Sequence, residues 1–440
     1  MSCKHTYLHL TPSPFAELAG YEQPDTQALA AAETRSGRRS KDLPVRSSST
    51  FPGPLVLPHD DLNYDPDCKP QNFKSWATLK QRNKMTNKKR STIYVASVPE
   101  ITQDVGFMNA WTMPERGPAD YEELHSPDTT HFVEYLKAFY HGVNVEILPS
   151  KLSWTPWENL DRGKWYDCSP AHVGLTQQEK STTRIRVRYT PSKVFSAQLN
   201  LNDILDTAIA MLPADAYALL ILVDHDIYES DDDDFCCGRA YGGSRVAVVQ
   251  TARYNPMLDE RAGIDRTHMW PMSHCKKFVD ELCAAEDMVA QAPTPEQRKW
   301  SKQSAMRSAV NAGSRFSAQS DDANLQALWF ARLARTVSHE LGHCFGIAHC
   351  VYYACNMQGT AGIKEDLRQP PYLCPIDEAK VCHAIVDELQ RGKEQDKVEW
   401  ARRRCEALGQ FCQSLHDREL SSAMWAGLEA WLAERLKQIE

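Results

Sequence analysis

HELGHCFGIAH, residues 339–349, carries the pattern HExxHxxGxxH and sets the reading of everything around it. Positions i and i+4 of a helix differ by about 40° around its axis, so His339 and His343 present their imidazoles to one ion. Glu340 can reach a water bound to that ion. A third ligand three residues beyond Gly346 requires the chain to leave the helix abruptly, and glycine takes the left-handed turn without a Cβ penalty. His349 then closes a three-histidine site. Three neutral nitrogen ligands leave zinc its full charge and an open position, which lowers the pKa of a bound water towards about 7. Chance produces about 0.03 HExxH matches in a chain of this length, and the added Gly and His lower that to roughly 10⁻⁵ to 10⁻⁴. A metal-free surface helix is therefore a poor explanation.

Outward from this motif, the helix is predicted to open at a cap made by Ser320, Asp321 and Asp322 and to run past His343. Leu328, Ala331, Ala334, Val337, Leu341 and Phe345 form its apolar stripe. Upstream, residues 92–98, 143–148, 184–189 and 217–223 read as strands, with a fifth at 246–252 after the turn at Gly242 and Gly243. Helical patterns at 131–140 and 201–212 alternate with them, which predicts an α/β layer. Residues 1–50, rich in Pro, Ser, Arg and Ala, show no sustained apolar period and are expected to be disordered. Residues 51–90 read as an N-terminal arm with a short helix at 73–82. The catalytic domain is expected over 91–385, with an insertion at about 255–320, and a helical extension over 386–440. The tail from 376 to 440 reads as two amphipathic helices.

The chain has 50 Lys and Arg against 58 Asp and Glu, a net charge of −8, which offers no footprint for nucleic acid or an anionic membrane surface. No run approaches the roughly 20 apolar residues of a spanning helix. The start lacks the basic flank and apolar block of a secretory signal. The expectation is an intracellular protein, cytoplasmic or nuclear, monomeric, whose cysteines are thiols or metal ligands. Of 14 Cys, five crowd into 344–382: Cys344, Cys350, Cys355, Cys374 and Cys382. Cys350, Cys355 and Cys374 are three soft ligands on a loop that begins directly after His349, and they suit a closed tetrahedral zinc site. Its fourth ligand would be Asp377 or Cys382. Cys344 points about 100° away from His343 and reads as core. Met357 reads as a core methionine. The acidic run 229–234, with Asp224 and Asp226, reads as a solvated loop, since the spacing and glycine of a calcium loop are missing. Vicinal Cys236 and Cys237 would be strained as a disulfide and are assigned no role. Asp265, His268, His274 and Cys275 have no fixed mutual spacing and read as incidental to the insertion.

HELGHCFGIAHC, then four residues, then Cys355, Asn356 and Met357, then Cys374, resembles the archaemetzincins, a branch of the metzincin zinc peptidases. Their pattern is HExxHxxGxxHCx4CxM with a later CxxC. Every element matches up to Met357, whereas Asp377 fills the second cysteine slot of the CxxC. Weaker similarity extends from about Phe51, through FPGPLVLP and GRAYGGSRVAVVQTARY, to about Cys412. The resemblance implies an α/β fold: a twisted, mostly parallel sheet with an edge strand over the active-site helix, plus C-terminal helices. The edge strand would pair with an extended peptide or protein substrate, and chain order puts it near 235–240. It also implies that Met357 forms an apolar floor beneath the catalytic zinc. The expected activity is zinc-dependent peptide hydrolysis, with His339, His343 and His349 as ligands and Glu340 as general base and acid. A second, structural zinc is expected at Cys350, Cys355, Cys374 and Asp377. Two other classes compete: a non-catalytic zinc scaffold that captures extended segments, which has no use for Glu340, and an amidase or isopeptidase acting on a non-standard amide.

Overall fold

The computed structural model describes residues 3–86, 89–114, 124–157, 169–177, 181–190, 194–319 and 325–439. Along the chain, β1 (Thr92–Ala96) and β2 (Glu100–Ile101) precede α1 (Thr129–Phe139), β3 (Asn144–Ile147), β4 (Leu152–Pro156), β5 (His172–Gln177), β6 (Ser181–Tyr189) and β7 (Ala197–Asn200). Then come α2 (Leu201–Met211), β8 (Ala216–Val223), β9 (Ile227–Tyr228), β10 (Gly238–Tyr241) and β11 (Val246–Gln250). The longer helices of the second half are α3 (Ala305–Gln319), α4 (Leu325–Cys344), α5 (Pro375–Cys382), α6 (Glu394–Ser414) and α7 (Ala423–Leu436).

β8, AYALLILV, is buried along its whole length, as a central parallel strand covered on both faces must be. It sits in the middle of a five-stranded sheet of order β10-β11-β8-β1-β3. All neighbours pair in parallel except the edge strand β10, which is antiparallel to β11. Successive side chains of β8 go to opposite faces. Ala218, Leu220 and Leu222 join Val337 and Leu341 of α4 and Phe132 and Leu136 of α1, while Leu219, Ile221 and Val223 join Ile204 and Leu205 of α2 and Trp154 and Leu175 of a second sheet. The motif helix α4 therefore lies against one face of the parallel sheet, with its C-terminal end near the β10 edge.

The second sheet, of order β2-β4-β5-β6-β7-β9, departs from the expected single α/β layer. Residues 184–189, read as a strand of that layer, belong to β6 in an antiparallel run from β4 to β7. β6 keeps little more than Ile185 buried, so its sequence gave no sign of a core partner. The edge strand begins at Gly238, a few residues later than expected.

The stretch 3–32 is not disordered but packed, while 33–49 runs over the surface. Leu8 and Leu10 are wholly buried, as are most of Phe15, Tyr21 and Leu29. Asp25 caps the helix Thr26–Ala32, accepting from the Ala28 amide at 2.8 Å. Such a segment needs no apolar period of its own, because the domain supplies the other half of each contact. The expected insertion is likewise part of the core: Trp270, Met306, Ala309 and Val310 join the main cluster, and α3 packs on α7. The helix expected at 73–82 spans Phe73–Ala77. The tail has more than two helices, since α5 and a π-helical turn at His383–Leu389 precede α6 and α7.

Candidate active site and metal centres

The expected cap at Ser320, Asp321 and Asp322 lies outside the described residues; α4 is described from Leu325 and ends at Cys344. One turn apart on it, His339 and His343 place their Nε2 atoms 3.1 Å from each other. The chain then turns sharply at Gly346, whose φ of 78° is the left-handed conformation its position requires. A Cβ at 346 would also stand 2.8 Å from Cγ of Arg82. Beyond the turn, the His349 ring comes back to within 5.4 Å of the His339 ring and 5.0 Å of the His343 ring, centroid to centroid. One ligand atom from each of the three lies within 4.8 Å of the others.

Backbone carbonyls aim two of these rings. Nδ1 of His339 donates to the Asn356 carbonyl and Nδ1 of His343 to the Ile347 carbonyl, both at 2.7 Å. A carbonyl can only accept, so each Nδ1 carries the proton and each Nε2 presents a lone pair, the tautomer a metal needs. Burial pushes His343 down to about 4 and His339 well below its usual value, with repulsion among the three rings adding to both. The imidazoles are neutral at physiological pH, as ligands must be.

Glu340 is buried against the edge strand. A Cβ at Gly238 would lie 3.1 Å from both its Cγ and its Oε1, so glycine there leaves the carboxylate its room. Burial raises the Glu340 carboxyl to about 8, while the Arg335 and Arg239 charges pull it the other way. Met357 is fully buried beneath α4, its thioether against Gly342, the residue just before His343.

Three further residues serve the site without any local mark in the sequence. Asp61, in the N-terminal arm, stands beside His349: a Cβ at Gly359 would fall 2.8 Å from Nδ1 of His349 and 3.1 Å from Cγ of Asp61. Its charge opposes the fall in the His349 pKa that burial causes. Gln71 clamps the turn, donating to the Gly346 carbonyl at 3.0 Å and accepting from the Ala348 amide at 3.1 Å. Arg239, on β10, adds positive potential at Glu340, His343 and His349.

Directly after His349, the structure brings Cys350, Cys355, Cys374 and Asp377 together, all buried, with ligand atoms within 4.8 Å of one another. The Sγ atoms of Cys350 and Cys374 are 3.6 Å apart, and Oδ2 of Asp377 is 3.3 Å from Cys355 and 3.4 Å from Cys374. Cys382, the other candidate for the fourth position, is buried outside this group. Three thiols and a carboxylate in a closed, buried cage suit tetrahedral zinc, and the three-histidine set suits a zinc with an open position. Lys380 holds the free oxygen of Asp377 at 2.8 Å and also donates to Gln71 Oε1 at 3.0 Å, so one hydrogen-bonded chain links the two clusters.

Cys344 is buried in the core as expected, and Cys236 and Cys237 are free thiols. Asp226 departs from the solvated-loop reading: it is fully buried, ion-paired with Arg253 and accepting from Gln198 at 2.8 Å. Asp233 stays in the loop and caps the amides of Glu229 and Ser230. His268 and Cys275 converge with Cys3 and His5, whereas His274 packs separately against Ser273.

Residues 317–382 match the family model described as Peptidase family M54. With a histidine cluster on the helix beneath a mostly parallel sheet, this makes the chain a zinc metallopeptidase. Archaemetzincin-2 of Pongo abelii is 24% identical over 336 residues, spanning 76% of this chain and 70% of that protein. Archaemetzincin-2 of Rattus norvegicus is 43% identical over 253 residues, 57% of this chain and 52% of that one. The chain is thus similar to these archaemetzincins and carries the peptidase family M54 match over residues 317–382. The crystal structure of archaemetzincin from Methanopyrus kandleri aligns with 67% of this chain and 96% of its own, at 15% identity and a TM-score of 0.31. No helix among the described residues is long and apolar enough to cross a membrane.

Proposed function

We propose that His339, His343 and His349 hold the catalytic zinc, that Glu340 is general base and then general acid, and that Cys350, Cys355, Cys374 and Asp377 hold a second, structural zinc. The observation that carries the first part is the convergence of three neutral imidazoles, two with Nδ1 tied to carbonyls, beside a buried carboxylate. Zinc, when bound, supplies a Lewis acid for the scissile carbonyl and lowers the pKa of water. Glu340 then takes the proton of the attacking water and passes it to the leaving amine nitrogen. Gly238 keeps the carboxylate unobstructed, and Arg239 counters the cost of holding it charged in a buried place. β10 is an outer strand of its sheet, and its free edge suits an extended peptide added as one more strand. The second zinc would tie Cys350, the neighbour of His349, to Cys374 and the start of α5, and so hold the third imidazole in place.

The test is Glu340→Gln, assayed on a peptide library with a chelator control. The zinc content should equal that of the wild type while hydrolysis falls by about 10²–10⁴-fold, the usual contribution of a general base. Equal turnover by wild type and variant would overturn the assignment.

A further inference from the structure

We propose that Cys3, His5, His268 and Cys275 form a third metal site, of Cys2His2 type and suited to zinc, which pins the N-terminal segment to the middle of the chain. One ligand atom from each of the four lies within 4.8 Å of the others. The Cys3 and Cys275 sulfurs are 3.5 Å apart, too far for a disulfide. Two thiolates on one tetrahedral zinc, each at about 2.3 Å, stand about 3.8 Å apart.

The histidines are left as ligands are. Nδ1 of His268 is 2.5 Å from the Asp265 carboxylate, which orients the ring and fixes its tautomer. That leaves Nε2 with a lone pair, buried and with no hydrogen-bond partner. Nδ1 of His5 is also buried and without a partner, and both residues are more than nine-tenths buried, at 6% and 8% exposure. Two orphaned ring nitrogens in one place are expensive unless something binds them. The carboxylate–histidine arrangement is the usual support of a zinc ligand. Cys275 is 1% exposed, and Cys3, partly buried, closes the group from the outside.

The backbone brings the two pairs together independently of any ion. Residues 7–9 run antiparallel to 274–276, with the Lys276 amide donating to the Tyr7 carbonyl and the His9 amide to the His274 carbonyl, both at 2.8 Å. Arg307 donates to the carbonyls of His5 and Thr6 at 2.9 and 3.0 Å. Two thiolates with one divalent cation are neutral overall. The group shares no residue with the catalytic or the cysteine-rich cluster.

Zinc per full-length chain, measured by elemental analysis for wild type, Cys3→Ser and His268→Ala, tests the site. Each variant should lose one equivalent relative to wild type and retain peptide hydrolysis, since neither residue belongs to the catalytic machinery. Thiol alkylation mapped by mass spectrometry on the wild type avoids any folding defect of the variants. Cys3 and Cys275 should resist labelling in the purified protein and react once a chelator is added. Unchanged zinc content in both variants would overturn the proposal. So would a wild-type protein whose Cys3 and Cys275 peptides are joined by a disulfide, or whose Cys3 labels equally with and without chelator.

Discussion

Alanine at Gly242 should loosen His343 without altering any side chain of the site. Gly242 opens the turn between β10 and β11, where the backbone meets the end of α4. A Cβ there would fall inside van der Waals contact of the His343 carbonyl oxygen, 3.2 Å from its carbonyl carbon and 3.9 Å from the Cys344 amide nitrogen. All of these are main-chain atoms, so no rotamer change relieves the overlap. The turn is itself held from behind, since Asn83 donates to the Gly242 and Gly243 carbonyls at 3.2 and 3.0 Å. Turn and helix end must therefore separate by about 1 Å to restore ordinary contact. Overpacking of this kind costs about 1–3 kcal/mol, and a misplacement of about 1 Å at a reacting group costs up to about 10²-fold in rate. Gly243, the next residue, is the control. A Cβ there meets nothing within 4 Å, and neither glycine has a positive φ. Gly243→Ala should be neutral or stabilising by up to about 1 kcal/mol through the unfolded chain. Urea unfolding, chelator competition for zinc and peptide turnover are measured on both variants. Gly242→Ala should be worse than Gly243→Ala on all three, and equality of the two would refute the proposed contact between the β10 turn and His343.

Cys355→Ser should remove one zinc equivalent while leaving the catalytic one, and lower stability by several kcal/mol, read by elemental analysis and urea unfolding. Arg82→Ala should cost about 3–5 kcal/mol, because it strands Glu388, which pairs with both guanidinium nitrogens in a nearly closed space beneath the Gly346 turn. Adding Glu388→Gln should recover part of that loss, as chemical denaturation of the double variant will show. Glu365, which accepts from the Asp61 and Ala361 amides, is pushed up to about 8 by burial and by the Asp60 charge. The folded chain then holds a proton that the unfolded chain releases near pH 4.5, so stability should fall by up to a few kcal/mol as pH rises from about 4.5 to 8. Glu365→Gln should flatten that slope, and an unchanged slope would exclude Glu365 as its source.

The grouping of the candidate ligands was legible because it is local. His339, His343, Gly346 and His349 lie within 11 residues, and Cys350, Cys355, Cys374 and Asp377 follow within the next 28. β8 could be read for a similar reason: a strand covered on both faces is apolar throughout. β6 could not be assigned to its sheet, because Thr and Arg on its open faces leave only Ile185 buried. The packing of residues 3–86 was opaque for another reason. Tyr21 donates to the Val351 carbonyl at 2.7 Å and Trp76 to the Phe345 carbonyl at 2.9 Å, and partners so distant in sequence leave no periodicity to detect. Asp61, Gln71 and the pairing of Cys3 with Cys275 were hidden in the same way.

A crystal structure of the zinc-loaded protein, with anomalous difference density collected at the zinc edge, bears most directly on the site. A peak bonded to one nitrogen each of His339, His343 and His349, with the Glu340 carboxylate facing its open side, is the expected result. Density absent from that position, or His349 turned away from it, would contradict the assignment of these residues to peptide hydrolysis.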